Sequence, residues 1–520
     1  MLVQDKTDKL FREGKVEQAI ARYKKAIADA RPGDFPGPMN LWLNLSDRLV
    51  RAGRVDEARQ ELISLRDWAT KENLPFARGK AADKMAELER RAGNNRVAAS
   101  WSEIAVTAYD EGGFEEPAMK ALITLARTIG RENPDKAVEV LRDAYQRADQ
   151  NPKLSDKKIS IDTTLSDIVF RRKKYSEAST YLARAARDLI AAGKTVGTGW
   201  ADIHIRQAKL ALIRGEEARA DEEALKAIHA VDQAKLPATN KSGALIAVAM
   251  HLWSLGYHEA SRDVAEHSAQ IAEGSVFKNG VTEKAANNAP LAVQAAEYRI
   301  KHAKFESLLS NHEAAARAYA RVLEILPENE GLDSGRTFIR LPTSVPYRTG
   351  ALIGLAKAHI ARGELKKAES FAQDALQLST RIGTKFDMVE AEITLAEATR
   401  NKEVFTDAIN RQAKSRKPGQ QQATIKSLLR VARFHAASDS LKDKEAGLNI
   451  ALLAIISLKS QTDRLEAAKL VLDLSDEIVS KGPPELKLKA AGLAETRKFY
   501  ETRKSEILKR AERLSPVPWS

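Results

Sequence analysis

A short motif recurs along most of this chain of 520 residues, and it constrains the possible folds more than any other feature of the sequence. A small or turn residue is followed by an apolar residue two positions later, by alanine five positions later, and by alanine or an apolar residue nine and twelve positions later. The turn position of the motif falls at residues 14, 53, 93, 132, 173, 215, 255, 310, 363, 403 and 441. Such repetition predicts a stack of similar units rather than a set of unrelated domains.

Each copy of the motif follows a segment of about twelve to fifteen residues with the hydrophobic periodicity of a helix. The unit is therefore a helix, a tight turn and a second helix. Glycine at the turn, as at Gly215 and Gly363, permits the positive φ that ends the first helix. Alanine five positions later lets two helix backbones approach closely, and the later apolar positions lie on one face of the second helix. We also expect Asn133 and Pro134 to begin one of the second helices.

These motifs resemble tetratricopeptide repeats. The family pattern of small, apolar, alanine, aromatic, alanine and terminal proline is met almost fully by Gly14 to Pro32 and by Ser310 to Pro327. Other copies keep the alanines and lose the aromatics. Most steps between turn positions are 38 to 42 residues, longer than the basic repeat of about 34. The resemblance covers about residues 1–460 and implies an all-α superhelix, an extended form of the tetratricopeptide α-solenoid.

The spacing of the motif suggests four segments along the chain. Two steps lengthen to 55 and 53 residues, which places insertions near 272–290 and 328–347. An inserted loop in a repeat array can lie on a binding face or serve as a packed linker, and the sequence leaves both readings open. We divide the chain into N-terminal repeats (1–271), two insertions that flank one repeat (272–349), C-terminal repeats (350–460) and capping helices (461–520).

Nothing in the sequence points to catalysis, a cofactor or a metal. The chain has no cysteine, which removes thiol chemistry and cysteine-ligated metals. The segment Gly193–Thr195 resembles part of a phosphate-binding loop but lacks the glycine that such a loop needs five positions earlier. Glu259, Asp263 and His267 have the spacing of metal ligands, yet the repeat motif already assigns their helix to packing and solvent. We therefore predict a protein that is not an enzyme, with no catalytic, cofactor-binding or metal-binding residues.

The sequence says little about compartment. The first residues lack the apolar stretch of a secretory signal, and the longest apolar run, residues 447–458, is too short to span a bilayer. The default expectation is a cytoplasmic protein, or an extracytoplasmic one if a signal segment has been removed.

Positive charge is concentrated toward the C-terminus. Residues 401–520 hold 23 Lys and Arg against 15 Asp and Glu, so 8 of the 13 net positive charges lie there. Residues 408–437 contain no acid. This basic region could attract a phosphate backbone or an acidic protein surface, or it could be a solvated linker. Its candidate contact residues are Lys414, Arg416, Lys417, Lys426, Arg430 and Arg433.

A second basic run, FRRKKY at residues 170–175, lies at a repeat turn, and such a run is typical of a solvated corner.

The resemblance implies that the first helix of each unit lines the concave surface, where polar residues could bind a peptide. By register these candidates include Asn40, Asn44 and Arg51 in the second unit, and Arg206 and Lys209 in the sixth. Compared with the carboxylate clamp of chaperone-binding members, Asn44 and Lys80 match, and Lys84 keeps the charge of the family's arginine. Gln4 and Asp8 depart from that pattern, and an exposed helix face is the alternative reading of the two lysines.

The sequence thus predicts a non-enzymatic scaffold or adaptor that binds a peptide or partner protein through its concave face, and the basic region would suit an acidic partner. One alternative is a nucleic-acid-binding or regulatory protein that uses residues 408–437. Another is a sensor or docking subunit of an assembly whose enzyme is a separate chain. The sequence does not indicate an oligomeric state.

Overall fold

The computed structural model describes most of the chain, and the described residues are almost entirely helical. They are 7, 10, 16–30, 36–51, 54–277, 289–326, 345–382, 385–414, 430–438, 440–457, 461–481, 493, 496–498, 500–501, 513–514 and 517. Besides turns and a short 3-10 helix at Pro152–Leu154, these residues form α-helices, and no strand occurs among them. The predicted all-α class is confirmed.

The helices follow one another in short succession. Those with both ends described are α1 (Val16–Ala28), α2 (Gly37–Arg51), α3 (Val55–Lys71), α4 (Pro75–Arg91), α5 (Asn95–Glu111), α6 (Glu115–Ile129), α7 (Pro134–Gln150), α8 (Ser155–Arg171), α9 (Tyr175–Ala191), α10 (Thr198–Ile213), α11 (Glu217–Asp232), α12 (Ala238–Leu255), α13 (His258–Phe277), α14 (Ala289–Leu308), α15 (His312–Ile325), α16 (Val345–Ala361), α17 (Leu365–Ile382), α18 (Lys385–Thr399), α19 (Lys402–Lys414), α20 (Leu441–Ser457) and α21 (Gln461–Lys481). Residues 430–436 are also helical.

The helices form consecutive pairs, and from α2 to α19 the even-numbered helix is the first of each pair and the odd-numbered helix the second. Each helix packs mainly on its neighbours in sequence. The closest approaches between helices that are not consecutive all join first helices, as between α8 and α10 or between α16 and α18. Because neighbouring units lie closer together on this side, the array curves toward the first helices, which line its inner face.

The predicted turns between paired helices are present. The backbone has positive φ at Gly93, Lys173, Gly215, Ser310 and Gly363, each a predicted turn position. At two other turns the residue with positive φ differs from the predicted one. The sequence places turns at 255 and 403, and the positive φ occurs at Gly256 and Arg400 instead.

One second helix begins as the sequence predicts. Pro134 is its first residue, and the side chain of Asn133 accepts a hydrogen bond of 3.1 Å from the backbone N–H of Lys136. This bond satisfies one of the free donors at the helix start.

The alanine five positions after each turn residue allows the two helices of a pair to pack closely. Ala58, Ala178, Ala220, Ala315 and Ala368 are all fully buried, as predicted. The core they belong to is a row of apolar clusters along the array, of which the largest extends from Ala201 to Ala358. A row of this kind is what stacked units produce, since each unit buries its apolar face against the next.

The predicted insertion at 272–290 is partly helical. Helix α13 continues to Phe277 and α14 begins at Ala289, so helix enters both ends of the region 272–290. Residues 278–288 and 327–344 lie outside the described part of the chain. The division into four segments stays a prediction. Within the described residues, no helix combines the length and apolar character needed to cross a membrane.

Candidate functional site

Three neighbouring first helices, α6, α8 and α10, and the turn that follows α6 bring a group of charged residues together. We call this group the basic cluster, and it comprises Arg127, Arg131, Arg171, Arg206 and Lys209 together with Asp167 and Asp202. Five cations thus face two carboxylates. Arg206 and Lys209 are predicted from the repeat register.

Arg206 is the anchored cation of the basic cluster. Its Nε and Nη2 donate to the two carboxylate oxygens of Asp167 on α8, at 3.1 and 2.8 Å, and its Nη1 donates to the backbone oxygen of Asp202 at 2.8 Å. Burial opposes the charged form of Arg206, but the two acids outweigh that effect and raise its pKa. A bidentate contact of this kind also fixes the spacing of α8 and α10.

Arg127 on α6 is held by hydroxyl groups instead of an acid. Its Nε donates to Thr164 Oγ1 at 3.2 Å, and its Nη2 donates to Ser160 Oγ at 3.1 Å. Surrounding protein atoms and the nearby Arg206 lower the pKa of Arg127. Its charge is therefore positioned by neutral partners and is not balanced by a directly bonded carboxylate.

Lys209 and Arg171 make no ion pair with a described residue. The Nζ of Lys209 lies 4.1 Å from the centre of the Phe170 ring, a cation–π contact. Desolvation lowers the pKa of both groups, and each also has a neighbouring cation that lowers it further: Arg206 for Lys209, and Arg131 for Arg171. Both side chains are nevertheless open to solvent. They lie on the first helices α8 and α10, which line the inner face of the array.

Arg171 shows where sequence reasoning missed a site residue. It is the second residue of the run at 170–175, which the sequence indicates as a solvated corner, yet it belongs to the basic cluster. Arg127, Arg131 and Asp167 were missed as well. Arg127 and Arg206 are 79 positions apart in the sequence, and only the stacking of first helices brings them together. The register of Lys209, six positions before the turn at 215, leads to Asp167 in α8, but the equivalent residue in α6 is Ala126, so the register does not lead to the arginines.

The predicted clamp residues lie along the inner face on α2 and α4. Lys84 forms an ion pair of 3.0 Å with Asp47 on α2, so it ties two first helices together, as Arg206 does. The Nζ of Lys80 lies 5.4 Å from the centre of the Phe76 ring. Asn40 is exposed and Asn44 half-buried, while the side chain of Arg51 lies outside the described residues.

The predicted basic region is only partly described. Arg416, Lys417 and Lys426 lie outside the described residues, as does the side chain of Lys414. Arg433 is exposed on the helical segment 430–436. Arg430 has a different environment.

Arg430 is enclosed between acids of α18. Its guanidinium bonds Glu397 at 2.5 and 2.6 Å and Glu390 at 2.6 Å, and it donates to Thr394 at 3.0 Å. These carboxylates raise its pKa despite burial. The charge of Arg430 is therefore used to join the segment 430–436 to α18.

In the part of the chain that is described, no three His, Asp or Glu side chains are grouped as a metal site would need. Of the residues with ligand spacing, His267 lies 3.4 Å from Asp232, and Asp263 pairs with Arg262 at 2.7 Å.

The chain matches no protein-family model and no curated protein. Solved structures are similar to it at low identity. The apo form of RapI is 12% identical over 76% of this chain and 98% of that chain, with a TM-score of 0.42. A Rap protein complexed with competence and sporulation factor is 12% identical over 75% and 99%, with a TM-score of 0.39.

A third structure is a signal transduction ATPase with numerous domains and a tetratricopeptide repeat sensor, from Pyrococcus horikoshii. It is 13% identical over 75% of this chain and 54% of that chain, with a TM-score of 0.33. The protein has the tandem helix pairs of a tetratricopeptide-like α-solenoid, in agreement with its repeat motif.

Proposed function

We propose that this protein is a non-enzymatic scaffold that binds an acidic peptide segment of a partner protein along its inner face. The basic cluster carries the proposal. It holds more positive than negative charge. Lys209 and Arg171, which make no ion pair with a described residue, are exposed on the inner face, and desolvation lowers the pKa of both.

The lowered pKa values of Arg127, Arg171 and Lys209 express a cost of holding positive charge at this place. A carboxylate bound among these groups would offset that cost, because an opposite charge within about 4–6 Å favours the charged form. Arginine is suited to this task, since its planar fork can bind a carboxylate through two parallel hydrogen bonds.

The surroundings of the basic cluster suit an extended segment. Ile213 lies one helical turn beyond Lys209 on α10 and is 47% exposed, and Met250 on the adjacent first helix α12 is 53% exposed. A peptide whose acidic side chains bind the basic cluster would thus place its following apolar residue near Ile213 and Met250. Stacked helices present such a long open face to a peptide, in contrast to the deep pocket that a small ligand needs.

Binding of a fluorescently labelled probe peptide, four glutamates followed by two leucines, tests the proposal. Lys209→Glu together with Arg171→Glu should weaken binding about ten-fold or more, equivalent to about 1.4 kcal/mol or more. The control is Arg142→Glu with Arg187→Glu, the same change of charge on the second helices α7 and α9, where both side chains are exposed. Equal losses in the two double variants, or no loss in either, would contradict the proposal.

A single-stranded oligonucleotide in the same assay tests the alternative partner. If the protein prefers the oligonucleotide and loses it through Lys414→Glu, Arg416→Glu and Lys417→Glu but not through the changes in the basic cluster, the protein is a nucleic-acid binder. The slope of affinity against salt concentration should then be steep and should fall in the triple variant.

A further inference from the structure

The C-terminal segment of the chain lies against the middle of the array. Arg513 pairs with Glu217 at 2.6 Å and with Asp221 at 3.5 Å, both on the second helix α11. Leu514 packs on the apolar core that extends from Ala201 to Ala358, and Val517 is buried in it, with 4% of its surface exposed. These contacts span almost 300 positions of sequence and join the end of the chain to its sixth helix pair.

The place where the segment sits combines acid and apolar surface. Asp221 accepts a hydrogen bond of 2.8 Å from the hydroxyl of Tyr257, whose ring is fully buried. The hydrogen bond from this buried tyrosine therefore fixes the position of the Asp221 carboxylate beside Arg513. Leu514 has φ of 66°, a conformation that is uncommon for a bulky residue and persists where the surroundings hold it.

The sequence predicts that residues 461–520 cap the last apolar face of the array. That assignment stays a prediction. Helix α21 packs on α20 and shares an apolar core with it, through Val471 and Leu474 among others. Arg513 instead pairs with two acids of α11, and Leu514 and Val517 pack on the apolar core that extends from Ala201 to Ala358.

We propose that Arg513, Leu514 and Val517 form a tethered ligand for a docking site on the outer face, which comprises Glu217, Asp221 and the adjoining apolar core. The ligand closes the array on itself. When it leaves, the docking site becomes open to a partner with the same chemistry, a basic residue followed by apolar ones. The occupant in the resting protein is the chain's own segment, and a partner must displace it.

A labelled peptide of residues 509–520 tests this proposal on two chains, the complete protein and one that ends at Glu512. The shortened chain should bind the peptide. The complete chain should bind it at least about ten-fold more weakly, because covalent attachment gives its own segment an effective concentration on the order of millimolar. Circular dichroism checks that the shortened chain keeps its helices.

Charge exchange identifies the site. In the shortened chain, Glu217→Arg should abolish binding of the natural peptide and permit binding of the Arg513→Glu peptide. Glu222→Arg is the matched control, since Glu222 lies on the same helix, is exposed and pairs with Lys226, and this variant should bind the natural peptide normally.

The complete chain offers a test that needs no truncation. With Arg513→Glu, its own segment should be released and the natural peptide should bind more tightly than to the wild type. Failure of the natural peptide to bind both this variant and the shortened chain would overturn the proposal. A dimer of the complete chain that disappears on truncation would also overturn it, because the segment would then be exchanged between two copies.

Discussion

His258, the first residue of α13, is a titratable side chain that folding removes from water. Its ring stacks on Trp253 with centres 4.2 Å apart, and 8% of the residue is exposed. Burial lowers its pKa from the usual 6.5 to about 4. The protein therefore holds this histidine neutral at pH values where an unfolded chain would bind a proton.

Stability should depend on pH through this residue. Because the folded pKa is depressed, the contribution is present above about pH 6.5 and is lost as the pH falls toward 4, to a total of about 3 kcal/mol. His258→Phe keeps the stacking on Trp253 and cannot titrate. Lowering the pH from 7.5 to 4.5 should therefore reduce the urea midpoint of the wild type more than that of the variant.

His251, exposed on α12, provides the control. His251→Phe should leave the pH dependence of the midpoint as it is in the wild type. If His258→Phe leaves it unchanged too, another group is responsible for the acid sensitivity.

At the scale of helices, the close approach of consecutive helices depends on glycine residues, which have no side chain. Gly354 lies in the first helix α16, and a Cβ added there would overlap the ring of Tyr319 on the second helix α15. Tyr319 is almost fully buried, and burial raises its pKa to about 12. The tyrosine ring thus fills the space that a side chain at Gly354 would occupy.

Gly354→Ala should destabilise the protein even though alanine favours a helix. Overpacking costs about 1–3 kcal/mol, against about 1 kcal/mol of helix propensity gained. Gly350→Ala in the same helix is the control, because a Cβ there meets nothing within 4 Å, and it should stabilise by up to about 1 kcal/mol. Thermal and urea midpoints of the two variants should move in opposite directions, and a stabilising Gly354→Ala would contradict the packing argument.

The sequence reveals the helix pairs because turn and packing residues recur at fixed positions. It is less exact about where helices end. Arg400 takes the positive φ three positions before the predicted turn, and Lys173 and Ser310 adopt it without being glycine. In each case the backbone N–H of the next residue bonds the carbonyl five positions earlier, from Lys174 to Val169, from Asn311 to Glu306 and from Asn401 to Ala396. A search for glycine alone cannot locate these turns.

The same reasoning finds two of the seven residues of the basic cluster. Arg206 and Lys209 follow from the register of one first helix, whereas Arg127 and Arg171 require knowledge of which first helices are neighbours. The sequence also does not show that Arg171 and Arg430 differ in their ion pairing. Both are arginines in basic runs, but one has no ion pair among the described residues and the other is enclosed by Glu390 and Glu397.

For the whole molecule, the distribution of charge differs from what counting along the chain suggests. The C-terminal region holds most of the net charge, yet many of its described cations are paired across helices. These pairs are Lys402 with Asp443, Arg430 with Glu390 and Glu397, Lys444 and Lys481 with Glu477, and Arg497 with Asp476. In the centre of the array, by contrast, Lys209 and Arg171 of the basic cluster make no ion pair with a described residue.

The whole array should also unfold in parts. Its contacts are mainly between neighbouring helices and its core is a row of clusters, so a disturbance should spread to adjoining units and then fade. Gly79 on α4 allows a test at a distance, because a Cβ there would overlap the buried ring of Tyr109 on α5, just as Gly354 receives Tyr319. The two sites thus have the same local chemistry in different parts of the array.

Hydrogen exchange of backbone amides should separate the two variants. Gly79→Ala should lower protection in α4 to α6 and spare α15 to α17, and Gly354→Ala should do the reverse, because each strains the contact between two consecutive helices and their immediate neighbours. If either variant lowers protection evenly from α2 to α19, the chain unfolds as a single cooperative body and nearest-neighbour stacking does not describe its stability.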